Sequence, residues 1–111
     1  MNTLNKTNFF DIDKIPALHE PEIIDVITKS SNFRIERIVS SGQHSTKDFW
    51  YNQKENEWVI LLKGNATLEF ENSQFVELKE GDYILIPCNK KHRIVSTSQN
   101  PECVWLAVFF Q

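Results

Sequence analysis

From Phe33 onward the chain alternates apolar and polar residues with a period of two. Phe33-Arg34-Ile35-Glu36-Arg37-Ile38-Val39-Ser40 predicts a strand with one wet face and one dry face. Ala66-Thr67-Leu68-Glu69-Phe70-Glu71 alternates cleanly and predicts another. Three runs are continuous instead. Trp58 to Leu62 reads as a strand covered on both faces, Tyr83 to Ile86 as a buried strand ended by Pro87, and Cys103 to Phe110 as a last strand without a polar face. Phe49 to Gln53, Gln74 to Leu78 and His92 to Thr97 complete the set. Between them stand turn signals: Ser41-Gly42, Gly64-Asn65, Asn72-Ser73, Lys79-Glu80-Gly81-Asp82 and Ser98-Gln99-Asn100-Pro101. About eight short strands at roughly 8–12-residue spacing are the mark of an all-β sandwich or barrel. No βαβ rhythm occurs, so a doubly wound parallel sheet is excluded.

Residues 1–32 are the least patterned and predict an N-terminal arm ahead of a barrel domain at 33–111. Phe9, Phe10, Ile12 and Ile15 suggest a short strand or an extended arm stopped by Pro16. Pro21-Glu22-Ile23-Ile24-Asp25-Val26-Ile27 suggests one or two helical turns, because proline suits a first helical position and acids suit an N-terminal turn. Its β-branched residues make a strand the rival.

Composition narrows the function classes. A chain of 111 residues fits one domain. The net charge is −3 and the basic residues are scattered, which argues against a nucleic-acid partner. No stretch approaches the ~18 apolar residues of a membrane span. The polar start and the two cysteines without a C-x-x-C point to a cytoplasmic protein with reduced thiols. Cys88 and Cys103 are expected as small core residues. The apolar last strand needs something to cover its second face, which predicts a homodimer burying strand faces or the arm.

The candidate chemistry lies where polar groups meet buried runs. Glu57 opens the run Trp58 to Leu62, and a carboxylate there is costly without a hydrogen-bond partner or a cation. Tyr51 and Gln53 are two apart and share a face. The turn from Lys54 to Asn56 brings Glu57 back beside them. His92 ends a second stretch that begins at Gly81. His44, in the loop before the aromatic segment, is a further candidate for the pocket mouth, and Cys88 stands four residues before His92. His19 is expected at the surface, and Arg93 away from the face of His92.

Glu57 and Gly64, with Gly81, Pro87 and His92, stand at the spacing of the two motifs of the cupin superfamily, G-x5-H-x-H-x3-4-E-x6-G and G-x5-P-x-G-x2-H-x3-N. Over residues ~33 to 110 the chain resembles small single-domain bacterial cupins. The resemblance implies a jelly-roll or double-stranded β-helix barrel holding a divalent metal. The two family histidines fall on Tyr51 and Gln53, a family glycine on Asn89, and the final asparagine on Ser96. Carried over position by position, the metal ligands are Gln53, Glu57 and His92, for Zn, Ni, Mn or Fe. Glu57 or Tyr51 then serves as the proton-transfer group in lyase- or isomerase-like chemistry on a small molecule. The alternative is a non-catalytic module that binds a small ligand in the same pocket without metal.

Overall fold

The computed structural model describes residues 4–111. It has eight strands: β1 (Ile23–Lys29), β2 (Phe33–Ser40), β3 (Asn56–Lys63), β4 (Ala66–Phe70), β5 (Gln74–Leu78), β6 (Tyr83–Ile86), β7 (His92–Thr97) and β8 (Cys103–Phe110). No helix occurs among the described residues. A five-stranded sheet has the order β1-β2-β8-β3-β6, and a three-stranded sheet the order β5-β4-β7. Val59, Leu61, Ile86, Trp105 and Phe109 from the first pack with Leu68, Phe70 and Leu78 from the second. This is an all-β barrel, as the strand spacing predicts, in the jelly-roll form that the cupin resemblance implies. Each fully buried aliphatic side chain of this core, such as Leu61 or Ile86, contributes on the order of 1.5–3 kcal/mol.

The membership of the strands differs from the expectation in two places. Ile23 to Ile27 is not helical; it opens β1, which pairs antiparallel with β2 from Ile23↔Val39 to Lys29↔Arg34. Five of its seven residues are β-branched, and the edge of β2 offers backbone partners. Phe49 to Gln53 is not a strand. Only Tyr51 pairs, as an isolated bridge to His92. Asp48 has φ 68°, which breaks the extended path just before it.

Burial also departs from the expected pattern. In β3 only Glu57, Val59 and Leu61 are buried, while Trp58 and Ile60 are half-buried on the opposite face. In β6 the residues facing away from the core, Tyr83 and Leu85, are 65% and 54% exposed. The continuous apolar runs therefore belong to a sheet with one open apolar face rather than to strands covered on both sides. In β2 the face read as wet looks inward. Glu36 pairs with Ala107 and Ile38 with Trp105, both core residues, so Arg34, Glu36 and Ile38 point between the sheets.

Two turns take a left-handed backbone, one at the far end of β3 and one in the β6–β7 loop beside Gln53. Gly64, after β3, has φ 91°, and a Cβ there would stand 2.9 Å from the backbone oxygen of Glu102. Asn89, where the family motif has glycine, has φ 63°. Asparagine is among the few residues that enter this region at modest cost. Residues of the arm lie along β2 and the loop after it. The Arg37 guanidinium donates to the Phe9 carbonyl at 3.0 Å, and the Gln43 amide donates to the Ala17 carbonyl at 2.8 Å. Cys103 is buried as expected, but Cys88 is exposed, because it follows Pro87 into the β6–β7 loop.

Candidate ligand pocket

A cavity of about 290 Å³ opens between the two sheets. Leu68, Ile86, Ile94, Trp105 and Phe109 form its apolar wall, and Tyr51, Gln53, Glu57 and His92 share its polar side with Glu22, Arg34 and Glu36. Four expected site residues thus come together, from one loop and two strands.

Each is placed by local pairing. Glu57 lies in register with Ile86 of β6 and Phe109 of β8, so alternation turns it inward with Val59. Tyr51 and His92 exchange backbone hydrogen bonds of 2.7 and 3.1 Å. Their rings stack at 5.4 Å with 22° between planes. The Gln53 carbonyl accepts from the Asn89 N–H at 2.7 Å, which ties this segment to the β6–β7 loop. From there Gln53 donates through Nε2 to Glu57 Oε1 at 2.8 Å. His92 Nδ1 lies 3.0 Å from the Lys90 carbonyl. A carbonyl only accepts, so Nδ1 carries the proton and Nε2 keeps its lone pair. That Nε2 stands 3.8 Å from Glu57 Oε1, beyond hydrogen-bond distance.

The electrostatics follow from burial among acids. Burial pushes the Glu57 carboxyl up to about 7; the Gln53 bond opposes this, Glu36 and Glu22 reinforce it, and Arg34 opposes it. Burial likewise raises Glu22, against its hydrogen bond from Ser40 and with help from Glu36. Burial lowers His92 despite the Lys90 carbonyl, so its ring is neutral at pH 7. Burial, then Glu22 and Glu57, raise the Tyr51 phenol, which stays protonated.

Not every candidate reaches this cavity. His44 is exposed, with Nδ1 2.9 Å from the Ser45 carbonyl, and lines a neighbouring recess with His19 and Glu20. Tyr51 and Glu22 line both spaces. Arg93 points away from the face of His92 and pairs with Glu69 at 3.0 Å, as expected. Sequence reasoning missed Glu22, Arg34 and Glu36. The signal for the latter two is their period-two spacing with Ile38, which puts all three on one face of β2. Glu22 gave no signal, since it enters only because β1 is a strand and sets it beside Ser40 at 2.9 Å.

A metal centre needs lone pairs from several side chains. Glu57 and His92 have them. Gln53 turns its amide nitrogen to Glu57, and that nitrogen has no lone pair to give. Among the described residues no three His, Cys, Asp or Glu side chains are grouped to hold a metal ion. As placed, the residues do not fit the metal centre that the cupin resemblance implies.

Fold and site define a single-domain jelly-roll protein with an internal pocket of buried carboxyl, amide and imidazole. The chain belongs to the cupin family: the family's Cupin domain profile matches residues 37–109. It is similar in structure to a candidate mannose-6-phosphate isomerase from Ralstonia eutropha JMP134, with 31% identity and a TM-score of 0.87, covering 97% of this chain and 99% of that one. It also resembles an RmlC-like cupin with a double-stranded β-helix fold from Methanocaldococcus jannaschii, at 19% identity and a TM-score of 0.71, covering 98% and 93% of the two chains. A cupin superfamily protein from Desulfitobacterium hafniense DCB-2 shares the fold at 15% identity and a TM-score of 0.71, over 96% of this chain and 98% of that one. No curated protein matches the chain.

Proposed function

We propose that the protein binds a small polar molecule in this cavity and moves a proton on it, in isomerase- or lyase-type chemistry. The observation that carries this reading is the Glu57 carboxyl, 9% exposed at the cavity wall, whose one hydrogen-bond partner is the neutral Gln53 amide. A carboxyl near neutrality takes and returns a proton at comparable cost. In the step proposed, carboxylate Glu57 accepts the proton from a carbon beside a substrate carbonyl. The electron pair moves onto the carbonyl oxygen, to which the Tyr51 hydroxyl donates. The proton of the hydroxyl on the deprotonated carbon passes to that oxygen as Glu57 returns its own proton to the former carbonyl carbon, which exchanges carbonyl and hydroxyl and isomerises the substrate. Departure of a leaving group with its electron pair from the carbon on the other side of the deprotonated one instead makes the reaction a lyase. Neutral His92 accepts a hydrogen bond from a substrate hydroxyl at Nε2. The name given to the Ralstonia relative supports an isomerase among these options. The test is solvent deuterium incorporation into a panel of small aldoses, ketoses and their amino derivatives. Exchange that falls roughly 10²–10⁴-fold in Glu57→Gln is expected. Tight binding of a panel member without exchange would replace this reading with non-catalytic ligand binding.

A second reading places a divalent ion, Zn, Ni, Mn or Fe, on Gln53, Glu57 and His92. What favours it is the Nδ1 bond to the Lys90 carbonyl, which leaves Nε2 as a free donor near Glu57. It requires the Gln53 amide to turn its oxygen inward, and a metal so held would polarise a substrate carbonyl. Elemental analysis of protein purified without chelator, beside Glu57→Ala and His92→Ala, tests it. Metal absent from the parent after incubation with excess ion would sink it.

A further inference from the structure

The cavity is lopsided in charge. Glu22, Glu36 and Glu57 line it against a single guanidinium, Arg34. Arg34 is already committed. Its Nε donates to Glu36 at 2.7 Å, its two terminal nitrogens donate to Glu55 at 3.1 and 3.2 Å, and its face lies 4.4 Å from the Phe109 ring centre. The fork that would grip a phosphate or carboxylate is spent on Glu55. Lys90 and Lys91 do not line the cavity.

The hydrogen-bonding inventory is lopsided in the same direction. His92 is 5% exposed, and among the described residues its Nε2 has no partner within hydrogen-bond distance. Carboxylates add acceptors beside it. One donor of Gln53 is used on Glu57, which leaves the Tyr51 hydroxyl as the main donor on offer. These acceptors face the cavity, and the complement of such a wall is a group rich in N–H and positive charge.

From this imbalance we infer that the pocket selects a small molecule carrying a protonated amine, seated among Glu22, Glu57 and His92, and rejects phosphorylated or carboxylated ones. The inference rests on the small-molecule reading above and names its ligand class. An ammonium brings three N–H donors to His92 Nε2 and to the carboxylate oxygens that Ser40 and Gln53 do not occupy, and its charge is attracted more strongly inside the cavity than in water. Its carbon skeleton packs on Leu68, Ile94 and Phe109. An anion entering the same space meets like charge and a guanidinium that already gives three of its five N–H bonds to Glu36 and Glu55.

The test is titration calorimetry with ligands matched in skeleton: glucosamine, glucose and glucose 6-phosphate, then butylamine, butanol and butyrate. In at least one set the amine is expected to bind tenfold or more tightly than its neutral analogue, with no binding of the anion. Glu22→Gln, a substitution of like shape, is expected to weaken the amine roughly tenfold or more and to shift the neutral analogue by a smaller factor. A thermal melt of the variant confirms that the barrel is intact. Neutral or anionic members binding as tightly as the amine would overturn the selectivity and leave the pocket reading standing. Amine binding unmoved by both Glu22→Gln and His92→Gln would place the amine elsewhere and overturn it too. Binding of no member at all would overturn both readings. Zinc binding at stoichiometry, with no amine binding to the metal-free protein, would transfer the site to the metal reading.

Discussion

Gln53 holds Glu57 by a single hydrogen bond, Nε2 to Oε1 at 2.8 Å, at the position where the cupin motif carries a histidine. The substitution exchanges a lone-pair donor for an N–H donor. It converts a would-be metal ligand into a group that steadies the carboxyl. Gln53→His restores a ligand beside Glu57 and His92. The variant is expected to take up Zn or Ni near stoichiometry and at least tenfold more tightly than the parent, read by elemental analysis and calorimetry. Equal metal content in both proteins would show that Gln53 is not what sets the metal affinity.

Glu57 carries a stability cost that depends on pH. An unfolded glutamate titrates near ~4.3, and the folded one near about 7. Between these values the folded protein holds a proton that the unfolded chain has released, so stability falls as pH rises through the window. The full cost, on the order of 3 kcal/mol, is present above pH 7 and absent below pH 4. Glu57→Gln removes it. Urea melts should therefore show a variant whose advantage over the parent grows from pH 5 to pH 8. A difference that stays flat across that range would assign the titration to another group.

The strand frame was legible because a barrel this small writes its pleat into alternation, as in Ala66 to Phe70 and Phe33 to Ser40. Which face points inward was not legible. Arg34 and Glu36 look like solvent-facing residues by type, yet they enter the cavity because Ala107 and Trp105 stand opposite Glu36 and Ile38. Tyr51, Gln53, Glu57 and His92 could be gathered from motif spacing alone, since each stands at the position where the motifs place an inward-facing residue. Glu22 could not be gathered, because its position depends on a long-range pairing, β1 on β2, that local helix and strand preferences leave balanced.

Asn89 links loop strain to the site. It sits at φ 63° and its N–H donates to the Gln53 carbonyl at 2.7 Å. Asn89→Gly keeps both features and is expected to change stability by less than about 1 kcal/mol. Asn89→Val meets steric strain there and is expected to cost about 1–3 kcal/mol. Because the loop would shift against Gln53, Asn89→Val should also weaken ligand binding in the pocket. Chemical denaturation and calorimetry on both variants check the pair. Equal stability of the two would show that the left-handed turn is not constrained in solution.

The outer face of the five-stranded sheet carries the last prediction. Trp58 and Ile60 of β3, Tyr83 and Leu85 of β6, and Leu106 and Val108 of β8 form one patch by register. Trp58 and Tyr83 already pack together, with ring centres 5.3 Å apart, and their flank is open. The named positions carry no charge, so an identical surface meets the patch about a two-fold axis without leaving any ion unpaired. We propose that the homodimer expected from the apolar last strand forms here. Light scattering at micromolar concentration should give twice the 13.0 kDa chain mass. Leu85→Glu places an unpaired charge in the centre of such an interface and should give the single-chain mass with the same thermal melting profile at high dilution. Leu85 is more than half exposed in the single chain, so its replacement spares the core. A parent that already runs as one chain would leave the patch as open surface. A variant that stays dimeric would move the interface to another face, where the exposed apolar edge of β1, with Ile24 and Val26, is the alternative to test by the same substitution.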